Sequence, residues 1–414
     1  MTTITRLPCE IIATIFRQLD HIQSLVPCIL ACRHFYSSYK ENPSLAIDIL
    51  HHQINAKLLP YSIALLEASR MSRTSPSIQQ LLDTLYNQPD ILTRRLHNIP
   101  LTGLIEMEVT HHLVKDFADA FASDAWSLLL SHSPFQGQGR SDSFVLSPME
   151  QFRFYRAFYR VELFLRLFRG DSTQLWSFLE DEQVGIFLSR HPPWVNEQLG
   201  CVHDYIEKRF SQASHDVLAH DIEFGELNID YITNGPDNQW KQGWISQGLR
   251  FTLKLEQATS HDERAALLSS TLVSGHVKLH EALTKSCESD DENYEILENY
   301  SKEEIKTLEP RHDSEEEDGW PFLAWKLGHD HLPREGWVLM TDNAVLRRCA
   351  YVLWDTDRIQ RYNMVPTLNK LSFSYEPELG TEAYEAMFRS FALRSKIWQK
   401  GSRGYWEDDS DPSQ

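Results

Sequence analysis

The stretch LPCEIIATIFRQLD, residues 7–20, predicts how the chain begins to fold. Its apolar residues recur at helical spacing, and Pro8 suits the first position of a helix, where its missing N–H costs nothing. A second helix is predicted over about residues 25–36, with Ser24 as its N-cap and Pro27 in its first turn. The apolar surface of these two short helices is too wide to be buried between them, and an exposed apolar surface of this size normally marks a partner site.

This N-terminal segment, about residues 1–45, resembles the F-box, the helical module that docks a substrate receptor onto the Skp-type adaptor of cullin–RING ubiquitin ligases. The residues that carry the resemblance, in the expected order and spacing, are Leu7-Pro8, Glu10-Ile11, Ile15-Phe16, Leu19-Asp20, Leu25, Ala31-Cys32-Arg33 and Phe35-Tyr36. The segment departs from the family at Phe35, where many members have tryptophan, and at Ala31, where valine is usual. Both positions remain apolar, so the resemblance still implies docking.

The resemblance implies which side chains meet the adaptor. The implied adaptor-binding residues are Leu7, Pro8, Ile11, Ile12, Ile15, Phe16 and Leu25. The implied partners are the Skp-type adaptor, through it a cullin, and a protein substrate held elsewhere on the chain.

The composition limits the class of protein. The chain has 414 residues, 42% of them hydrophobic, and a formal net charge of −19, which argues against nucleic acid or an anionic membrane as a partner. We expect no membrane span, since no apolar run approaches the required length, and no signal peptide. The six scattered cysteines form no zinc-type or disulfide framework, which favours a reducing compartment, cytoplasm or nucleus.

The pattern after residue 45 stays helical, so we predict an all-α protein in which a large multi-helix domain, about 46–402, follows the F-box helices. A capping box at Ser147 and Glu150, with proline between them, predicts a strong helix start. Ser260 and Glu263 repeat it ahead of a helix predicted to run on through Leu283. Further predicted helices are Gly103–Leu130, Asn343–Tyr362 and one bearing the stripe Val195, Leu199, Val202, Ile206 and Phe210.

One segment breaks the helical pattern. Between Glu288 and Asp318 there are fourteen acidic residues and few apolar ones. Such a composition cannot bury enough surface to offset its ordering entropy, so residues 284–318 are predicted to be a disordered acidic loop. Residues 403–414 are predicted to be a frayed acidic tail.

The region after the F-box also resembles the helical C-terminal region of many fungal F-box-like proteins. The segments that suggest this are Glu150 to Phe168, Trp244 to Leu255, and Leu346 to Asp355 with Arg358. That family has no common substrate, so the resemblance implies what the chain docks to rather than what it recruits.

Arg153, Arg156 and Arg160 follow one face of the helix after the capping box. Guanidinium groups favour bidentate contacts with oxyanions, so this row could bind an acidic or phosphorylated target. The alternative, which we favour because the same helix is so aromatic, is an internal network with Glu162, Glu180 or the acidic residues of another helix.

No pattern of catalytic or metal-ligating residues emerges. Cys28 and Cys32 are interpreted as buried structural residues, and His276, four residues before His280, as a core histidine. The His111-His112 pair is treated as structural or surface groups, without cysteine or carboxylate partners at ligand spacing. We therefore expect no enzyme, no metal and no cofactor.

These observations predict a non-catalytic substrate receptor of a Skp–cullin–F-box ubiquitin ligase. Two alternatives stay open. The F-box could bind the adaptor outside a ligase, as a structural assembly, or the helical domain could be a ligand-binding or cryptic enzymatic module.

Overall fold

The computed structural model describes residues 4, 7–133, 144–169, 180–218, 221–225, 239–271, 279–286, 301, 304, 319–329, 344–372 and 381–401. These residues are helical with connecting turns and contain no β-strand, which confirms the predicted all-α fold. Within them no helix is long and apolar enough to cross a membrane. The predicted tail, His276 and, apart from 284–286, 301 and 304, the predicted acidic loop lie outside the described residues.

The first half of the chain is a series of short helices that leads into one long helix. The helices are α1 (Cys9–Phe16), α2 (Ile22–Ala31), α3 (Arg33–Glu41), α4 (Leu45–Gln53), α5 (Leu59–Ala68), α6 (Ser75–Asn87), α7 (Pro89–Arg95) and α8 (Leu101–His132). Proline stands in the first turn of α5, α6 and α7, where it costs no backbone hydrogen bond. The predicted helix Gly103–Leu130 is confirmed as α8, two residues longer at each end.

The described part of the second half contains three further long helices and several short ones. They are α9 (Pro148–Phe168), α10 (Glu180–Ile186), α11 (Pro193–Leu218), α12 (Ile222–Gly225), α13 (Gln239–Ile245), α14 (Leu249–Gln257), α15 (His261–Ser270), α16 (Trp320–His329), α17 (Ala344–Arg348), α18 (Thr356–Arg361), α19 (Val365–Ser372) and α20 (Thr381–Gln399). Residues 279–286 are also helical.

Helix α9 is the centre of the molecule, with α5, α8 and α11 packed around it. It begins as predicted, because the Glu150 N–H donates to Ser147 Oγ and the Ser147 N–H donates to Glu150 Oε2. Seventeen of its residues are buried, as expected of a helix whose side chains are aromatic on nearly every face. The predicted stripe of α11 is buried throughout and faces this core.

Three predicted helices are interrupted in the structure. The helix predicted over 25–36 begins at Ile22 and breaks at Cys32, whose extended backbone (φ −160°, ψ 160°) lets α3 fold back against α1 and α2. Pro27 therefore lies inside α2, beyond its first turn, and Ser24 is not the cap. The helix that starts after Ser260 ends at Ser270, and Leu283 belongs to the separate segment 279–286.

The predicted helix 343–362 is divided into α17 and α18 by a buried turn. Ala350 has a positive φ of 53°, and the indole N–H of Trp354 donates to the Cys349 carbonyl at 2.8 Å. The Trp320 indole donates to the Tyr351 carbonyl at 3.0 Å. Backbone groups that a continuous helix would pair internally are thus paired by tryptophans, so burial of these large side chains outweighs helical continuity.

Candidate docking surface

Helices α1, α2 and α3 pack into a small unit through side chains that the sequence analysis assigned to the adaptor. Ile12, Phe16 and Leu25 are each at most 4% exposed. The Phe16 ring meets the Phe35 ring edge-on, with centroids 5.4 Å apart. The Ser38 hydroxyl donates to the Cys9 carbonyl at 2.6 Å and joins α3 to the start of α1. These residues hold the unit together and offer little surface to a partner.

The same unit leaves several large apolar side chains in water. The exposed ones are Ile11 (48%), Ile15 (42%), Leu30 (76%) and Tyr36 (52%). Ile11 and Ile15 are four residues apart, so they lie one turn apart on the same face of α1. Pro8 is exposed at its N-terminal end, whereas Leu7 is half-buried. Of the seven predicted docking residues, Pro8, Ile11 and Ile15 therefore provide the exposed surface, which we call the α1 outer face.

The unit is firmly attached to the rest of the chain. Arg17 pairs with Asp48 of α4 at 2.8 Å, and the apolar core that contains Ile12 continues without interruption to Leu371. The Glu108 carboxylate, from the middle of α8, accepts the N–H groups of Ile22 at 2.7 Å and Gln23 at 3.1 Å. It thereby caps α2, which has no cap from its own sequence.

The arginine row on α9 lies in the interior, where it offers no surface to a target. Arg153, Arg156 and Arg160 are each at most 1% exposed. Arg153 donates from Nη1 to Asp355 Oδ1 at 2.9 Å and to the Trp354 carbonyl at 2.7 Å. The other two lie over aromatic rings, Arg156 over Phe152 at 4.8 Å and Arg160 over Tyr61 at 5.6 Å. Arg153 thus has an acidic partner inside the protein, Asp355, as the favoured alternative predicted. For Arg156 and Arg160 the observed contacts are with aromatic rings.

A second buried polar cluster joins α11 to α17. Arg347, 1% exposed, donates from Nε to Glu197 Oε1 at 2.7 Å and lies 3.5 Å from Asp204. Burial opposes ionisation of Asp204, but the Arg347 charge and the His203 hydrogen bond outweigh it and hold the pKa of that carboxyl below its usual value. The neighbouring Cys201 is buried, and desolvation raises its thiol pKa well above the ordinary range, which disfavours the reactive thiolate.

One open groove, of about 600 Å³, lies between α11, α14 and α15. Its two arginines are already paired across it, Arg209 with Glu256 and Arg264 with Asp216. None of the residues that line this groove is a tryptophan.

The interpretation of His111 and His112 needs correction. Glu108 lies four residues before His112 on the same face of α8, so a carboxylate does stand at ligand spacing. His112 and Glu108 also converge with His21, which precedes α2. The pattern E-x-x-x-H, formed by Glu108 and His112 on one helix, was the sequence signal for this group. The third residue, His21, is distant in the sequence, so no local pattern could indicate it. His111 itself is buried and contacts the Tyr159 hydroxyl at 3.0 Å.

Comparison of the chain with protein-family models, with curated proteins and with solved structures finds no match. The class of protein defined by the structure is therefore an all-α protein with a continuous core and an exposed apolar face on its first helix.

Proposed function

We propose that this protein is the substrate receptor of a Skp–cullin–F-box ubiquitin ligase and docks onto the adaptor through its N-terminal helices. The observation that carries the proposal is the α1 outer face: Ile11 and Ile15, within the F-box-like sequence, are nearly half exposed. Full burial of an isoleucine side chain is worth roughly 1.5–3 kcal/mol, so covering the exposed half of each of these two side chains would contribute about 1.5–3 kcal/mol in total. That gain favours a partner on this face.

The receptor itself performs no chemistry. It holds a target protein near the ubiquitin-conjugating enzyme and so raises the effective concentration of the target's lysines. The attachment of the N-terminal unit to α4 and α8 favours this role, because a target bound by the helical region would then be held at a fixed distance from the adaptor.

The test compares the wild-type chain with the double variant Ile11→Gln, Ile15→Gln by co-purification with the Skp-type adaptor and the cullin. Glutamine keeps helix propensity and removes the apolar contact. The matched control is Ile91→Gln on α7, an isoleucine 41% exposed outside the N-terminal unit. We expect the double variant to co-purify with at least about tenfold less adaptor and cullin than the wild type. The control should recover as much of both as the wild type.

Each other outcome has a defined meaning. Recovery of the adaptor without the cullin would favour the alternative in which the protein binds the adaptor outside a ligase, as a structural assembly. Equal recovery by the double variant, or recovery of neither partner by the wild type, would overturn the proposal. Circular dichroism and thermal melting of all three chains ensure that a loss of binding is not a loss of folding.

A further inference from the structure

Three potential metal ligands meet where the N-terminal unit joins α8. They are His21, which immediately precedes α2, and Glu108 and His112, one turn apart on α8. One ligand atom from each lies within 4.8 Å of the other two. The side chain of His21 is 53% exposed and that of Glu108 is 1% exposed, so the cluster is open to solvent at His21 and buried at Glu108.

The spacing suits a small divalent transition ion. His21 Nδ1 lies 3.4 Å from Glu108 Oε1. Two ligands of a tetrahedral zinc ion, each bonded at roughly 2.0–2.1 Å, are separated by about 3.3 Å. The His112 ligand atom lies within 4.8 Å of the other two. It therefore needs to approach them by up to about 1.5 Å, which rotation of the His21 ring and a change in the His112 side chain can supply.

Two observations on His112 and Glu108 fit a bound ion. His112 Nε2 is buried and has no hydrogen-bond partner in the structure, which is costly for an imidazole nitrogen unless a ligand satisfies it. Glu108 accepts hydrogen bonds from the N–H groups of Ile22 and Gln23, which fix the orientation of its carboxylate, as hydrogen-bond donors to a metal-binding carboxylate commonly do.

One existing hydrogen bond would have to yield to the ion. Gln53 Nε2 donates to Glu108 Oε1 at 2.7 Å, and Ile22 N–H already occupies the same oxygen. Gln53 Nε2 also contacts the Asp20 carbonyl, so it keeps a partner when it leaves the carboxylate. Capping of α2 alone would account for Glu108, but it accounts for neither the buried Nε2 of His112 nor the approach of His21.

We infer that His21, Glu108 and His112 form a binding site for a divalent transition-metal ion of the zinc class. Two imidazoles and one carboxylate suit zinc, cobalt, nickel or copper rather than calcium or magnesium, which prefer all-oxygen sites. Three protein ligands leave a fourth position for water on the exposed side. The bound ion joins the loop before α2 to α8 and so strengthens the attachment of the N-terminal unit. The inference is independent of the proposed function.

The test is a calorimetric titration of the metal-free, full-length chain with zinc chloride, repeated with cobalt(II) and monitored by visible absorption. We expect one ion per chain at this site and the intense visible bands of four-coordinate cobalt. His21→Ala and His112→Gln should each weaken binding at least about tenfold. Loss of a residue that only hydrogen-bonds a metal ligand already costs about that much, and these variants remove a ligand itself. Glu108 is left intact because it caps α2.

The control is His51→Ala, which removes an exposed histidine of α4 and should leave the affinity unchanged. Zinc should also raise the melting temperature of the wild type and of His51→Ala but not of His21→Ala, because binding to the folded state stabilises it by mass action. The inference is overturned if no ion binds, or if His21→Ala binds zinc as tightly as the wild type. His21 is exposed, so its replacement leaves the folded chain intact and the result interpretable.

Discussion

At the scale of single residues, the buried arginines determine which neighbours are tolerated. Arg347 extends across α11 at Gly200, where no side chain separates its guanidinium from the helix backbone. A Cβ added at Gly200 would lie 2.4 Å from Arg347 Cζ, well inside contact distance. A guanidinium on the surface would simply move aside, but this one is fully buried and paired with Glu197 and Asp204. Glycine is therefore required in the middle of a helix that would otherwise favour alanine.

Replacement of Gly200 by alanine is predicted to destabilise the protein. Relief of the overlap moves Arg347 away from Glu197, and overpacking of this kind costs about 1–3 kcal/mol, more than the helix gains from alanine. The measurement is the free energy of unfolding from urea denaturation. The control is Gly185→Ala in α10, where an added Cβ meets nothing within 4 Å and a gain of roughly 0.5–1 kcal/mol is expected. Equal effects at the two positions would contradict the account of Arg347.

At the scale of helices, α2 depends on a residue far from it in the sequence. Its first two N–H groups have no acceptor from residues 21–24 and instead donate to Glu108, which also places a negative charge at the positive end of the helix dipole. The orientation of the N-terminal unit thus relies on α8.

Replacement of Glu108 by glutamine is predicted to lower the stability by about 1–3 kcal/mol. The amide retains one acceptor but directs an NH₂ group at a backbone N–H and removes the charge, leaving a buried donor unsatisfied. The control is Glu106→Gln on the same helix, a part-exposed residue 3.6 Å from Arg70, where a change of at most about 1 kcal/mol is expected. Unfolding is followed by circular dichroism in the presence of a chelator, so that no bound ion contributes. A loss at Glu106 as large as that at Glu108 would contradict the capping role.

Periodicity and capping predicted the helices whose ends are determined locally, and missed the breaks determined by packing. The start of α9 follows from Ser147 and Glu150, which pair with each other. The break between α2 and α3 falls at a cysteine, and the turn 349–354 between α17 and α18 contains neither glycine nor proline. No local signal therefore marks either break. The partner of Arg153 is Asp355, about two hundred residues later in the chain, which only the folded structure brings into contact. Only part of the predicted docking set belongs to the α1 outer face. Helical spacing shows which residues share a face of α1, but it does not show which face the rest of the protein covers.

At the scale of the whole molecule, the continuous core encloses ionisable groups whose charge depends on folding. His111 is 3% exposed, and desolvation, with the nearby charge of His112, lowers its pKa from 6.5 to about 4. His280 is shifted in the same direction to about 4, chiefly by desolvation and by His203. Both imidazoles are therefore neutral in the folded chain at a pH where the unfolded chain binds protons.

The protein is predicted to lose stability as the pH falls from 6.5 to about 4. A group with a depressed folded pKa contributes stability that is complete above its unfolded pKa and is lost as the pH falls to the folded value. For His111 the change in pKa corresponds to on the order of 3 kcal/mol. His111→Gln, which can still hydrogen-bond Tyr159, should reduce the slope of unfolding free energy against pH in this window. His97→Gln, which replaces an exposed imidazole, is expected to keep the wild-type slope. Both chains carry the same acidic excess, so relief of self-repulsion on acidification cancels between them. An unchanged slope of unfolding free energy against pH in His111→Gln would contradict the lowered pKa of His111. The imidazole would then be protonated in the folded core and would donate to the Tyr159 hydroxyl.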